Sequence, residues 1–207
     1  METTNITSNP SFRDVPPAGG RPRLSFFHAN ARGTGCVLML DLRPACGLEE
    51  GCIMMTLANQ LTVGDRRGPN PVYPTFDMEN RMVVKLGFLD LAKMLQVFRG
   101  ECESVDGDHG LYHQSARFAT RITLRHLAEA GGGYALDVFR SGPGQEDRHA
   151  GLVLAPAEAL GLAMAVEGSL GVLCFGVPSA AEPAGRRRAA ARQGQAKPQE
   201  VRDVRAA

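Results

Sequence analysis

The sequence carries almost no net charge, because 23 Lys and Arg residues nearly balance 22 Asp and Glu residues and leave a formal charge of +1. No global charge therefore indicates a polyanionic partner, and any nucleic-acid surface has to come from local patterning of basic residues. Tryptophan is absent. No segment reaches ~18 consecutive apolar residues, so we expect no membrane-spanning helix and no membrane partner. The first residues lack the basic-then-apolar plan of a signal peptide.

The cysteines provide neither a metal motif nor a disulfide framework. There are five, an odd number at irregular spacing, with no C-x-x-C pair and no histidines at zinc spacing beside them. This usage favours a reducing, intracellular compartment, and we expect no metal and no other cofactor. Cysteines in apolar runs are interpreted as small core residues, namely Cys36, Cys52 and Cys174.

Recognisable catalytic patterns are also missing. The five histidines form no H-x-x-x-H motif, no serine lies in G-x-S-x-G, and no pair of carboxylates stands out for acid–base work. The DGDHG stretch at 106–110 resembles a calcium loop but lacks the distal bidentate Glu, so a polar turn is the better interpretation. We therefore predict that the protein is not an enzyme and has no catalytic residues.

What the sequence does contain is a repeat. Residues 86–100 and 154–168 each begin on the last residue of a strand-like run, carry an acid in the first helical turn, run apolar and reach a glycine. Several strand-like segments precede each copy. The pattern predicts a duplicated α+β unit, four strands followed by a helix in each half.

Hydrophobic periodicity and Gly or Pro punctuation give the expected elements. We predict strands at 23–28, 35–43, 51–60, 81–86, 110–114, 118–127, 134–141 and 150–154, and helices at 88–99 and 156–170. Residues 1–22 are predicted to be a disordered arm, 23–178 the folded domain, and 179–207 a disordered tail. The tail is basic, which fits either a solvated terminus or an electrostatic arm for phosphates.

The helices predict self-association. The second is apolar almost all round, and a helix that is apolar on every face has to be buried on every face. One sheet covers only one side, so we expect an oligomer held partly by helices. The interface residues predicted on these helices are Leu91, Leu95, Leu162, Val166 and Leu170.

Several strands place Arg or Lys on one face and apolar residues on the other. In 118–127, Arg121 and Arg125 oppose Ile122 and Leu124. Arg81 and Lys85 share a face of the fourth strand, and Arg43 ends the second. These faces are either wetted sheet surfaces or a track for phosphates.

Taken in order, these segments resemble the Whirly family of single-stranded DNA-binding proteins; related folds occur in trypanosome mitochondrial guide-RNA-binding proteins. The family's basic motif entering a strand is matched by 31–36 and the strand ending at Pro44. Its aromatic-Asp pair is matched by Phe76-Asp77 and its Gly/Glu/Cys stretch by 100–103. The second lysine of the basic motif is Thr34 here, and the family's tryptophans are missing.

The resemblance implies two packed antiparallel sheets with crossing helices, tetramers built through the helices, and single strands bound along the sheets. Such binding needs a basic track and stacking aromatics, with little sequence readout. Phe26 is a further candidate platform, and core packing is the alternative for each aromatic. The predicted nucleic-acid-binding residues are Arg32, Arg43, Arg81, Lys85, Arg121, Arg125, Phe27, Tyr73 and Phe76.

The sequence and the resemblance together predict an oligomeric, non-enzymatic single-stranded DNA-binding protein acting in DNA maintenance, repair or transcription, and a cytoplasmic or nucleoid-associated location. Two alternatives stay open. One is an RNA-binding or annealing protein on the same fold, since contacts to the 2′-hydroxyl are not visible in a sequence. The other is a structural assembly protein that does not bind nucleic acid.

Overall fold

The computed structural model describes residues 23–65, 67, 69–129 and 132–177. They belong to one compact unit that ends at Gly176, followed only by Val177, the first residue of a second unit. The predicted arm at 1–22 and the predicted basic tail at 179–207 lie outside the described residues, so both stay predictions.

Eight strands form two four-stranded antiparallel sheets. Sheet 1 has the order β1-β2-β3-β4 and sheet 2 the order β5-β6-β7-β8, so each sheet is a simple meander. The strands are β1 Arg23–His28, β2 Cys36–Arg43, β3 Cys52–Asn59, β4 Met82–Leu86, β5 Leu111–Gln114, β6 Ala119–His126, β7 Tyr134–Ser141 and β8 Arg148–Leu154. All eight predicted strands are present, and β8 begins two residues earlier than expected because Arg148 pairs with Arg140.

A helix follows each sheet, as the repeat predicts. Helix α1 spans Phe88–Phe98 and α2 spans Pro156–Phe175. Each begins with an acid that closes a capping box: Asp90 accepts from the Gly87 amide at 2.9 Å and Glu158 from the Ala155 amide at 2.9 Å. These side chains satisfy amides that a helix start otherwise leaves without a partner.

The expected end of the second helix is wrong. Helix α2 continues past the predicted end at residue 170 to Phe175 and is followed by Gly176 at φ 74°. Its last carbonyls find partners in the β2–β3 loop of the other half, where the Ala45 amide donates to Val172 O at 3.3 Å and the Gly51 amide to Leu173 O at 3.1 Å. A Cβ at Gly51 would lie 2.6 Å from that carbonyl, so the close approach requires glycine.

Both sheets and both helices enclose a single apolar core. The inner face of sheet 1 contributes residues such as Leu38 and Leu57, and sheet 2 contributes Ile122 and Val138, all fully buried or nearly so. The helices add their own buried stripes to the same cluster. The predicted alternation along β6 is confirmed, since Ile122 and Leu124 are buried while Arg121 and Arg125 are exposed.

The core also corrects the predicted oligomer interface. Leu91, Leu95, Leu162 and Val166 are at most 5% exposed and lie in the core of their own chain, and Leu170 packs against that core. The first four are therefore not surface residues that a second subunit contacts, whereas Leu170 is only partly buried. The large apolar residues that helix α2 exposes are Leu160, Met164 and Phe175.

Helix α2 also changes the membrane expectation. It is long and apolar enough to cross a membrane by length and composition, and 28% of its most apolar 18-residue window is buried. The sequence criterion of ~18 uninterrupted apolar residues does not detect this helix, because Glu158 and Glu167 interrupt the apolar run. These two glutamates are its only charged residues. Leu162, Val166 and Leu173 anchor it in the core of the folded unit.

The two halves exchange matching contacts at their helix starts. His113 of β5 lies 3.3 Å from Asp90 of α1, and His28 of β1 lies 3.1 Å from Glu158 of α2. In each case the carboxylate that caps the helix of one half also contacts the first strand of the other. We call these two contacts the histidine latches.

We predict that the latches contribute modestly to stability. His28→Ala and His113→Ala should each lower the free energy of unfolding by about 0.2–1 kcal/mol, since the four side chains are only partly buried. The capping boxes remain intact in both variants. Urea denaturation of the variants, with exposed His109→Ala as the control, measures the effect. A destabilisation no larger than in the control would contradict the latch.

Candidate functional site

The outer face of sheet 2 carries a row of planar side chains. The strand register places Tyr112, Arg121, Phe139 and His149 side by side on β5, β6, β7 and β8. The Arg121 guanidinium carbon lies 4.8 Å from the centre of the Phe139 ring. The His149 ring stacks on Phe139 with centroids 4.4 Å apart and planes 18° apart. We call these four residues the cross-strand row.

Side chains of the cross-strand row stack on one another. Because β6 and β8 flank β7 on opposite sides, Phe139 lies between a cation and an imidazole, both in favourable contact with its π faces. His149 Nε2 is also 2.8 Å from Asp137 Oδ1, a contact that orients the imidazole. The arrangement supplies a flat surface. Both of its ends are exposed, Tyr112 by 63% at one end and His149 at the other.

An open groove of about 360 Å³ runs along this row and around the end of the β7–β8 hairpin. Phe139 and His149 belong to the outer face, whereas their sequence neighbours Arg140 and Arg148 belong to the inner face at the sheet's end. The remaining lining residues are Tyr112, Ala119, Arg121, Ser141 and Asp147. The groove therefore joins an aromatic surface to several guanidinium groups.

The arginines of sheet 2 are not neutralised. Within the described part of the chain, Arg121, Arg125, Arg140 and Arg148 have no carboxylate within 4 Å. By contrast, Arg23 on sheet 1 pairs with Asp41 at 2.8 Å. Positive charge is thus concentrated locally on a chain of nearly zero net charge, an arrangement suited to an anionic ligand.

Solved structures of plant proteins superimpose on this chain. WHY1 from Arabidopsis thaliana superimposes with a TM-score of 0.58 at 14% identity, covering 87% of this chain and 99% of that chain. WHY3 from the same plant gives 0.56 at 17% identity, with 83% and 99% covered. The plant transcriptional regulator PBF-2 gives 0.55 at 15% identity, with 74% and 83% covered.

The chain has the Whirly fold. The predicted resemblance and the predicted duplicated α+β architecture are both confirmed. No protein-family model matches the sequence, and no curated protein matches it.

The two sheets of this Whirly fold differ in how open their outer faces are. On sheet 1 the β3–β4 loop folds back, and Phe76 and Met78 pack on Val37, Met39 and Ala58. On sheet 2 the corresponding β7–β8 connection spans only 142–147 and leaves the cross-strand row uncovered. The duplication therefore produces one covered and one open outer face.

Sequence-predicted residues on sheet 1 are accordingly dispersed. Lys85 and Arg43 are exposed at different positions of β4 and β2, and Arg81 donates to its own loop at Met78 O. Arg32 lies in the β1–β2 turn, where its backbone amide donates a hydrogen bond to Asn30 Oδ1 at 3.0 Å. The structure brings Arg121 and Arg125 onto one face of β6, as predicted.

The predicted stacking aromatics divide similarly. Phe27 is 52% exposed, but its ring lies 5.8 Å from Phe76, and Phe76 is engaged in covering sheet 1. Tyr73 is half-buried in the same loop. Phe26 is on the inner face and packs against the core, so it is not a platform.

Of the nine groove residues, only Arg121 was predicted from the sequence; those missed include Tyr112, Phe139, Arg140, Arg148 and His149. A usable signal was present in β7, where period-two alternation puts Asp137 and Phe139 on the face opposite Leu136 and Val138. The sequence does not give the strand register. The register places Phe139 directly opposite Arg121 rather than opposite a residue two positions along β6.

No metal site accompanies the groove: within the described ranges, no three His, Cys, Asp or Glu side chains lie close enough to hold a metal ion. Cys36 is buried, and burial raises the pKa of its thiol to about 11, so it is an inert core residue as predicted. Cys52 is buried too, but Cys174 is exposed near the end of α2, which corrects its assignment to the core.

Proposed function

We propose that this protein binds single-stranded DNA along the outer face of sheet 2, without enzymatic activity, and acts in DNA maintenance or transcription. The observation that carries the proposal is the cross-strand row, flanked by arginines that have no carboxylate partner among the described residues. Stacking surfaces beside a basic track are the physical requirements for sequence-tolerant binding of single strands. The Whirly fold and the resemblance in sequence support the same conclusion.

In this mechanism Arg121 and Arg125 contact phosphates, and the row accepts bases. Phe139 is already sandwiched by Arg121 and His149. A base therefore stacks on an end of the row or takes the place of one neighbour, and the self-stacked free state keeps the side chains ordered before binding. Because every base has a π face, affinity varies little with sequence.

A competition titration tests the class of ligand. Labelled single-stranded DNA is bound at low salt and challenged with unlabelled single-stranded DNA, RNA of the same sequence, and duplex. We expect the single strand of DNA to compete best. Preferential competition by RNA would favour the RNA-binding alternative, and no binding of any strand would favour the assembly protein.

The first predicted variant removes the basic track. Arg121→Ala with Arg125→Ala should weaken binding by a similar factor for every sequence, because phosphate contacts position the strand without reading it. The slope of log K against log [salt] should fall by about 0.7 for each phosphate that the variant no longer neutralises. Fluorescence anisotropy across a salt series measures both. Lys93→Ala on α1, which removes one half-buried cation that pairs with Asp106, is the control; an equal effect there would contradict a localised track.

The second predicted variant removes the stack but no charge. Phe139→Leu should cost about 1–3 kcal/mol of binding free energy, the usual contribution of one stacked base, and leave the salt slope unchanged. The same titrations measure it, and Phe88→Leu on α1 offers an exposed ring outside the row as control. An unaltered affinity of the Phe139 variant would mean that no base stacks on the row.

We also propose that the protein forms a homotetramer through the exposed side of α2. Leu160 and Met164 are 63% and 66% exposed there, and Phe175 is 88% exposed. Gly161, Gly168 and Gly171 on the same helix have no atom within 4 Å of an added Cβ, so a second helix can approach closely. Burying this face removes an apolar patch from water.

Met164→Glu should therefore lower the mass measured by light scattering at micromolar concentration, because a charge would be desolvated in the contact. The secondary structure of the dissociated species should stay near that of the parent, while its unfolding temperature should fall, because self-association stabilises the folded state by mass action. Leu48→Glu, at a fully exposed loop position, is the matched control. A parent protein that is already monomeric would overturn the proposed tetramer.

A further inference from the structure

Arg140 and Arg148 form a second cationic feature that the function of the outer face does not use. They are directly opposite each other in the β7–β8 ladder, on the inner side of the strands. Side chains in that relation have Cβ atoms about 4.5–5.5 Å apart, and like charges so placed are destabilising. We call them the guanidinium pair.

Arg140 is held firmly in this unfavourable position. Its Nη2 donates to Val83 O of β4 at 2.7 Å, its Nε donates to Thr120 Oγ1 at 3.2 Å, and its guanidinium lies 5.3 Å from the centre of the Phe118 ring. Burial, and then the charge of Arg148, lower the pKa of Arg140. A fixed, half-buried cation beside another cation is costly unless an anion joins them.

The acids nearby do not supply that anion. Asp147 lines the same groove, yet it forms no ion pair with either arginine within 4 Å, as judged over the described residues. Asp77 feels the charge of Arg148, but the pKa of its carboxyl is lowered first by hydrogen bonds from Asn80, at 2.9 and 3.0 Å. In this part of the chain, the guanidinium pair thus faces the groove without an opposing carboxylate.

We infer that the guanidinium pair is a phosphate-binding subsite at the junction of the two sheets. Its ligand is a phosphoryl group, supplied either by the backbone of a bound strand or by a free phosphate. The backbone case rests on the proposed function: a strand lying on the cross-strand row would turn around the end of the β7–β8 hairpin here. The Arg140 hydrogen bond to Val83 brings β4, with Arg81 and Lys85 on either side of Val83, next to this turn. The subsite would then join the basic residues of both sheets into one path.

The test uses the full chain and Arg148→Ala, because the Arg148 side chain is exposed and makes no hydrogen bond or ion pair among the described residues. Anisotropy titrations use two probes of equal length, an oligothymidylate and an abasic strand that keeps the phosphates but lacks the bases. We expect Arg148→Ala to weaken both about threefold to tenfold at low salt and to flatten the salt slope by about 0.7. Lys93→Ala is the control for removal of one charge.

A second arm distinguishes free phosphate from the strand. Inorganic phosphate is added to the protein while the arginine side-chain Nε–H signals are followed by NMR in the parent, in Arg148→Ala and in Arg140→Gln. Phosphate-induced shifts that both variants abolish, with unchanged strand affinity, would support the subsite with free phosphate as its ligand. No shift, together with an unchanged affinity and slope in Arg148→Ala, would overturn it.

These outcomes separate the subsite from the proposed function. If the parent binds strands and Arg121→Ala with Arg125→Ala weakens binding while Arg148→Ala does not, the outer face functions without the subsite. If the parent binds no strand but the phosphate shifts persist and require Arg148, the subsite holds and the proposed function fails. Thermal unfolding of Arg140→Gln shows whether its missing signal reflects misfolding.

Discussion

The structure depends on one constraint: neither half can bury the apolar face of its own sheet alone. Each half offers four strands and one helix, and a helix covers only part of a four-stranded face. The remaining surface is removed from water by the other half, so Leu38 and Leu57 share one core with Ile122 and Val138. Burial of that apolar area is the dominant favourable contribution to folding. The histidine latches and the docking of the last turn of α2 on the β2–β3 loop are consequences of this mutual packing.

Duplication has left the two halves alike inside and different outside. The inner faces follow the same alternation because they share a core. The outer faces are not constrained in this way, and their connections differ in length. The β3–β4 loop is long enough to fold back and pack Phe76 and Met78 on sheet 1, whereas the β7–β8 connection is too short to do so. Openness of sheet 2 therefore follows from loop length rather than from strand chemistry.

Charge is organised by the same geometry. A net charge of +1 would suggest no anionic ligand, yet the four arginines on the strands of sheet 2 have no carboxylate within 4 Å among the described residues. Acids cap the helices, at Asp90 and Glu158, and arginines accumulate on β6, β7 and β8. Interactions between exposed charges decay over about 10 Å at 0.1 M salt, so a local cluster is felt by a ligand even when the total is balanced.

The sequence by itself determined the elements, the duplication and the face on which each β6 side chain lies, because periods of 2 and 3.6 residues are local properties. It also indicated the Whirly architecture. Tertiary structure alone decided the partners. Register put Arg121, Phe139 and His149 in one row, hairpin geometry brought Arg140 opposite Arg148, and core packing withdrew Leu91, Leu95, Leu162 and Val166 from the surface. Which side chains meet across strands depends on how distant segments align, and an apolar residue looks the same in a sequence whether its own chain or a second subunit covers it.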